Sequence, residues 1–211
     1  MTLLAMYSCS LLNIGNHFPS PGSGVLGIFV VTLQADFGFI SHQVLDKKYM
    51  IIESIASPAD VKRLSVEEME KMAVEIRTLL IEKLSRHGGH CGPYLGMVEA
   101  TIAMHYVFQS PQDKIVFDVS HQSYTHKMLT GRVGAFLKAE NDDDVSGYSE
   151  PSESEHDHFI IGHTSTAVSL AGGLAKGRDL RGEQGNVIAV VGEAPPFTLH
   201  HHRFAYRPHR A

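Results

Sequence analysis

Two short runs constrain this chain more than anything else in it. Lys114-Ile115-Val116-Phe117-Asp118-Val119 is apolar across its centre, and Asn186 to Val191 is apolar throughout after Asn186. A strand with one wet face alternates apolar and polar residues, whereas a strand covered on both faces need not. Neither run alternates, and helical patterns lie before and between them. Strands that alternate with helices predict an α/β fold built on a parallel sheet with flanking helices.

The helical patterns differ in kind. Ser65-Val66-Glu67-Glu68 has the form of a capping box, a hydroxyl at the N-cap and a carboxylate three residues on. Met69, Met72, Ala73, Ile76, Leu79 and Leu80 follow at helical spacing, and Gly88-Gly89 supplies a stop. The pattern predicts an amphipathic helix over about 65–86. Met97 to Phe108 is apolar almost all round, which predicts a buried helix. Tyr124 to Thr130 reads as a short helix closed by Gly131, Glu140 to His158 as a long acidic loop, and Ser165 to Asp179 as a helix rich in small residues.

Composition divides the 211 residues into three segments. Residues 50–192 hold 20 acidic and 13 basic residues, a net charge of −7. Residues 1–49 are electrically neutral and turn-rich (Pro19, Pro21, Gly22, Gly24, Gly27). They read as poorly ordered, or as one short strand near Ile28–Leu33. Residues 193–211 are basic, with Pro195-Pro196 and His200-His201-His202. Neither end has a periodic apolar face for a core to use. The overall charge of −5 argues against a general nucleic-acid binder. The most apolar run, Val25 to Leu33, is far shorter than the ~20 residues that span a bilayer. Met1 to Ala35 contains no Lys or Arg, so a secretory leader is not expected either. Two cysteines, Cys9 and Cys91, make no disulfide framework. The expectation is a cytoplasmic protein without nucleic-acid or membrane partners.

Ligands of open parallel sheets bind outside the carboxyl ends of the strands. Asp118-Val119-Ser120-His121-Gln122 follows the first strand there. Gly162-His163-Thr164-Ser165-Thr166 opens the small-residue helix, and Gly192 ends the last strand. Glycine, hydroxyls, an imidazole and the free N–H groups of a first helical turn suit an anion such as phosphate. The same run also reads as a plain Ser/Thr N-cap. His121 reads as a ligand-binding or general acid–base group, or as a hydrogen-bonded structural histidine. His90, in Gly88-Gly89-His90-Cys91-Gly92-Pro93, stands in a loop of the sort that carries function.

Taken in order, these motifs resemble the 1-deoxy-D-xylulose-5-phosphate synthase family. The resemblance runs through Gly89-His90, Leu95-Gly96-Met97-Val98-Glu99, Pro111-Gln112-Asp113-Lys114 and Asp118 to Lys127. It continues through Leu129-Thr130-Gly131-Arg132, Ser152-Glu153-Ser154-Glu155 and Gly162 to Thr166. It covers about residues 50–192 and implies an incomplete thiamine-diphosphate-binding domain. The family is thiamine-diphosphate- and Mg²⁺-dependent. It joins pyruvate to glyceraldehyde 3-phosphate with loss of carbon dioxide, a transferase reaction that feeds isoprenoid and thiamine synthesis, and its complete members are homodimers. Carried across, His121, Gly162, His163 and Thr164 would contact the cofactor. His90 would lie by the reacting carbon, as the proton-transfer or substrate-phosphate histidine.

The resemblance also marks departures. The family's second strand ends in Gly-Asp-Gly, with a metal-binding Asn some thirty residues later, whereas this chain reads Gly192-Glu193-Ala194-Pro195-Pro196. Glu193 would stand in for the metal-binding aspartate, one methylene longer. No Asn-bearing segment follows, and the resemblance stops there, so the chain reads as an N-terminal fragment, inactive alone. Alternatives are a non-catalytic binding module, one subunit of a split enzyme, or a shifted reading frame after Gly192. By the same resemblance Met50 is a candidate original start, and residues 1–49 are expected to have no role in the fold. Limited proteolysis is expected to trim both ends and leave a core starting near Met50; protection of both ends counts against this organisation.

Overall fold

The computed structural model describes the backbone of Ile28–Val31 and residues 50–191. In chain order the elements are β1 (Ile28–Val31), α1 (Pro58–Val61), α2 (Val66–His87), α3 (Cys91–Gly96), α4 (Val98–Val107), β2 (Lys114–Phe117), α5 (Tyr124–Lys127), α6 (Gly134–Leu137), α7 (Ala167–Arg181) and β3 (Val187–Val190). Short 3₁₀ turns at Ile51–Ser54 and Ala139–Asn141 and an irregular turn at Met128–Arg132 complete the order.

The capping box of α2 forms as its residues require. Ser65 Oγ accepts from the Glu68 N–H at 3.2 Å, and the Glu68 carboxylate accepts from the Ser65 N–H at 2.7 Å. The helix stops at His87, where Gly88 takes a φ of 73° that a side chain would resist.

The strands are parallel in the order β1-β3-β2, with Ile115 opposite Ile188 and Phe117 opposite Val190. The strand expected near Ile28–Leu33 is present as β1, paired along its length with β3. Four residues of the 1–49 extension, which were expected to have no role in the fold, therefore join the sheet. The rest of that extension, and Gly192 with the 193–211 tail, lie outside the described residues.

Both faces of β2 and β3 are covered, which is why neither strand alternates. On one face Ala167, Ala171 and Ala175 of α7, all fully buried, pack with Val116, Val187 and Ala189. These alanines recur every four residues and form one stripe, so the helix backbone approaches the sheet closely. On the other face Met97 and Met104 pack with Ile115, Phe117, Ile188 and Val190. A third cluster joins the buried side of α2 to Ile52, Ile55, Met128, Leu129 and Phe136.

Two boundaries and the burial of one helix differ from expectation. The first strand ends at Phe117, because Val119 and Ser120 adopt φ values of 60° and 68°, which no strand admits. Helix α7 begins at Ala167, after Ser165 at φ 65°. Helix α4 is not buried all round: Tyr106 and Val107 are 45% and 66% exposed.

The acidic stretch after α6 is a loop, as expected, yet much of it is anchored. Lys83, fully inside the core, donates from Nζ to the carbonyls of Ala135 and Asp142 at 3.2 and 2.5 Å. Arg86 Nε donates to the Asp142 carboxylate at 2.7 Å, and this bond above all holds that carboxyl at about 2. Among the described residues no helix is long and apolar enough to cross a membrane.

The alanine stripe yields a direct test. Ala171→Leu puts three more carbons where the helix meets the sheet, and overpacking of this kind costs about 1–3 kcal/mol. Urea unfolding followed by circular dichroism is expected to show a lower midpoint with an unchanged slope.

Candidate functional site

The carboxyl end of the sheet is organised by Asp118. It follows β2, and its own N–H extends the ladder by donating to Val190 O at 2.7 Å. Its carboxylate crosses to the start of α7 and accepts from the N–H groups of Ser165, Thr166 and Ala167 at 2.8, 3.0 and 3.1 Å. Three N–H groups at the entry to α7, one of them on the helix's first residue, are thus already satisfied by a protein carboxylate. Those three N–H groups are therefore not free for the anionic ligand expected at that first turn. Asp118 was not legible as their acceptor because it is remote in sequence from the helix it caps.

The turn after Asp118 is held from several sides. Gln122 Nε2 donates to Asp118 O at 2.9 Å. Ser120 Oγ donates to Ile161 O at 2.9 Å and accepts from the Ser149 N–H at 3.0 Å. The turn presents His121 to His90, which stands immediately before α3. Their rings meet edge to face with centroids 4.9 Å apart. Two residues far apart in sequence, each singled out from the sequence alone, are thereby neighbours.

Burial and the nearby His90 lower the pKa of His121, against a smaller opposing pull from Asp118. The neutral ring thus remains available as an acceptor or proton carrier to lower pH than a free histidine. Its Nδ1 is buried and has no hydrogen-bond partner. An orphaned buried nitrogen of this kind fits a polar group of a bound molecule.

Gly162, His163 and Thr164 are exposed on the neighbouring loop. A Cβ on Gly162 would meet nothing within 4 Å, so open space faces its backbone. His163 O accepts from Thr166 Oγ1 at 3.1 Å, which leaves the imidazole outside the internal bonding of the turn. Glu193, the expected metal ligand, lies outside the described residues. Among the described residues no group of three or more His, Cys, Asp or Glu is arranged to hold a metal ion.

Asp118 and Ser120 received no role from the sequence, although both stand in the motif that contains His121. An acid directly after a parallel strand was the available signal, since that position faces the binding edge. A groove of about 590 Å³ lies elsewhere, lined by residues that include Ser110, Gln112, Lys114 and His158. Lys114 opens β2, so this groove is at the end of the strand away from the histidine pair.

A buried relay stands behind the site. His105 and His126 approach at 2.9 Å between Nε2 and Nδ1, and His126 Nε2 lies 3.1 Å from the Asp157 carboxylate. A carboxylate only accepts, so His126 donates from Nε2 and, being neutral, accepts at Nδ1 from His105. His105 Nδ1 is then a bare acceptor, buried without a partner. Arg132 closes on Asp157 at 2.8 and 3.1 Å, while Lys127 reaches Glu153 at 2.5 Å. The Ser152-Glu153-Ser154-Glu155 motif thus supplies a half-buried ion-pair partner that ties the acidic loop to the end of α5.

The family model for 1-deoxy-D-xylulose-5-phosphate synthase matches residues 52–197. The chain is 49% identical over 144 residues to the 1-deoxy-D-xylulose-5-phosphate synthase of Dictyoglomus turgidum, covering 68% of the chain and 23% of that relative. Identity to the synthase of Corynebacterium diphtheriae is 55% over 144 residues, again 68% and 23%. For Chlorobaculum tepidum it is 47% over 150 residues, 71% and 24%. The chain spans about a quarter of the length of the curated relatives it matches.

The relay gives stability a definite pH dependence. Burial lowers the pKa of His105 and of His126, and in His105 the neighbouring His126 adds to the effect. A lowered folded-state pKa means that, below about 6.5, the unfolded chain takes up protons that the folded chain refuses. Stability is therefore greatest above that pH and falls on acidification, by up to about 1.4 kcal/mol per pH unit for each such histidine. Asp157, whose carboxyl is held far below its usual range, stays charged throughout this window. Urea midpoints measured between pH 7 and pH 5 are expected to fall steadily. His105→Gln is expected to flatten the slope by about one histidine's share.

Proposed function

Since the chain belongs to the 1-deoxy-D-xylulose-5-phosphate synthase family, we propose that residues 50–192 form the part of its thiamine-diphosphate-binding domain that faces the diphosphate. The activity to which this part contributes is the transferase reaction that joins pyruvate to glyceraldehyde 3-phosphate with loss of carbon dioxide. The observation that carries the reading is the His90–His121 pair at the carboxyl end of the sheet, with the orphaned Nδ1 of His121 buried beside it.

When bound, thiamine diphosphate supplies the stabilisation of carbanion character that the reaction needs. The protein's share is to bind, orient and move protons. His121, Gly162, His163 and Thr164 are the residues proposed to contact the cofactor. His121 would offer an imidazole whose neutral form is favoured by burial, and Gly162 lets backbone approach closely. His90, exposed and ring to ring with His121, is proposed as the proton-transfer group or as a contact to the substrate phosphate. Glu193 is proposed as one oxygen ligand to Mg²⁺, too few by itself to hold a hard cation that calls for several such donors. A cytoplasmic location and assembly with a second copy are part of the same proposal.

With three N–H groups at the head of α7 taken by Asp118, the diphosphate contacts proposed are chiefly the side chains of His163 and Thr164. A few such contacts fall well short of the ~8 kcal/mol that micromolar affinity requires. Calorimetry on the 211-residue chain is expected to give millimolar or weaker thiamine diphosphate binding, little changed by Mg²⁺. No turnover of pyruvate with glyceraldehyde 3-phosphate is expected from this chain alone. His163→Ala and Thr164→Ala are expected to weaken the binding further, and His201→Ala to leave it unchanged. Micromolar, Mg²⁺-dependent binding would mean that Glu193 and another group complete a metal site in this chain.

A further inference from the structure

The non-glycine residues with positive φ among the described residues are three: Val119 at 60°, Ser120 at 68° and Ser165 at 65°. For a β-branched residue such as Val119 this conformation is an outlier, and such backbone persists only where its surroundings over-determine it. All three lie on the two loops of the candidate site. They are also joined to each other through a small set of bonds. Asp118, directly before the first two, accepts from the N–H of the third, Ser165, at 2.8 Å. Ser120 Oγ reaches Ile161 O, on the residue before Gly162, at 2.9 Å. The same hydroxyl accepts from Ser149, which brings in the acidic loop.

We infer that Asp118 and Ser120 are positioning residues that clamp the His121 turn and the Gly162–Thr166 loop into one fixed relation, so that His121, His163 and Thr164 address a single ligand. The two residues act at different places. Asp118 fixes the foot of the second loop by accepting from the N–H groups of Ser165, Thr166 and Ala167. Ser120 fixes its entry at Ile161 and, through its own strained backbone, turns His121 toward His90. Neither touches the ligand. The purpose assigned to the clamp rests on the reading of this site as thiamine-diphosphate-binding; the clamp itself rests on bonds within the chain.

The full 211-residue chain, isotopically labelled, allows the two to be tested separately by NMR. In the unaltered chain the His121 ring is expected to titrate below the ordinary histidine value of about 6.5. The Ser165, Thr166 and Ala167 amides are expected to exchange slowly with solvent. Asp118→Ala is expected to speed exchange at those three amides by about tenfold or more, with Asp118→Asn, which keeps one acceptor oxygen, in between. Ser120→Ala is expected to move the His121 titration back toward the ordinary value, as the turn relaxes and the ring leaves His90. Ser120→Gly removes the hydroxyl while relieving the strain, so it separates the two and is expected to behave as Ser120→Ala does. A purely structural role would lower the melting temperature of these variants without moving the His121 titration or the three amides selectively. The clamp is overturned if neither readout changes, or if Ser120→Gly matches the unaltered chain. Millimolar thiamine diphosphate is expected to perturb the His121 and His163 resonances together in the unaltered chain, and His163 alone in Ser120→Ala. Failure to perturb either in the unaltered chain removes the ligand reading, while the exchange and titration results still decide the clamp.

Discussion

One carboxylate holds the working end of this fold together. Asp118 closes the β2–β3 ladder with its N–H and caps α7 with its side chain, so a strand end, the turn after it and a remote helix start share one residue. Those three N–H groups have no intrahelical partner and need an acceptor, from solvent, protein or ligand. Supplying it from within the protein ties the helix start to the strand end. It also closes those three donors to an anion.

The sheet beneath is thin but closed on both faces. Alanines at every fourth position of α7 allow close approach on one side, and methionines, which fill irregular gaps, cover the other. That enclosure gives the site a firm base. Residues that emerge from the end of β2 start from a fixed point, and the positive-φ residues Val119 and Ser120 lie just beyond it.

The acidic loop between α6 and α7 shows how charge is used in a half-buried setting. Asp142, Glu153 and Asp157 each meet cations on helices or turns, and Lys83 and Lys127 carry their ammonium groups into the interior to do so. Buried pairs of this kind add little to net stability compared with apolar packing, but leaving one partner alone is costly. Their effect here is to specify where the loop lies, including the placement of Ser149 against Ser120. The positioning of His121 thus depends on a loop that by composition alone reads as a solvated acidic stretch.

What the sequence by itself determined was local or repetitive. The capping box of α2 was legible because Ser65 and Glu68 are three residues apart and interact across one turn. The parallel sheet was legible because unbroken apolar runs need cover on both faces. His90, His121 and the Gly162–Thr166 loop were legible through motif order, which carries family membership without geometry. Tertiary structure alone decided the rest. The cap on α7 comes from a residue 47 positions before Ser165. The exposure of Tyr106 and Val107 reflects where α4 runs out of neighbours rather than any periodicity. The strained backbone at Val119 and Ser120 has no sequence signal, because non-glycine residues adopt it only when distant partners hold them there. Periodicity and spacing report what neighbouring residues do to each other, and the site is made by contacts between residues the chain keeps far apart.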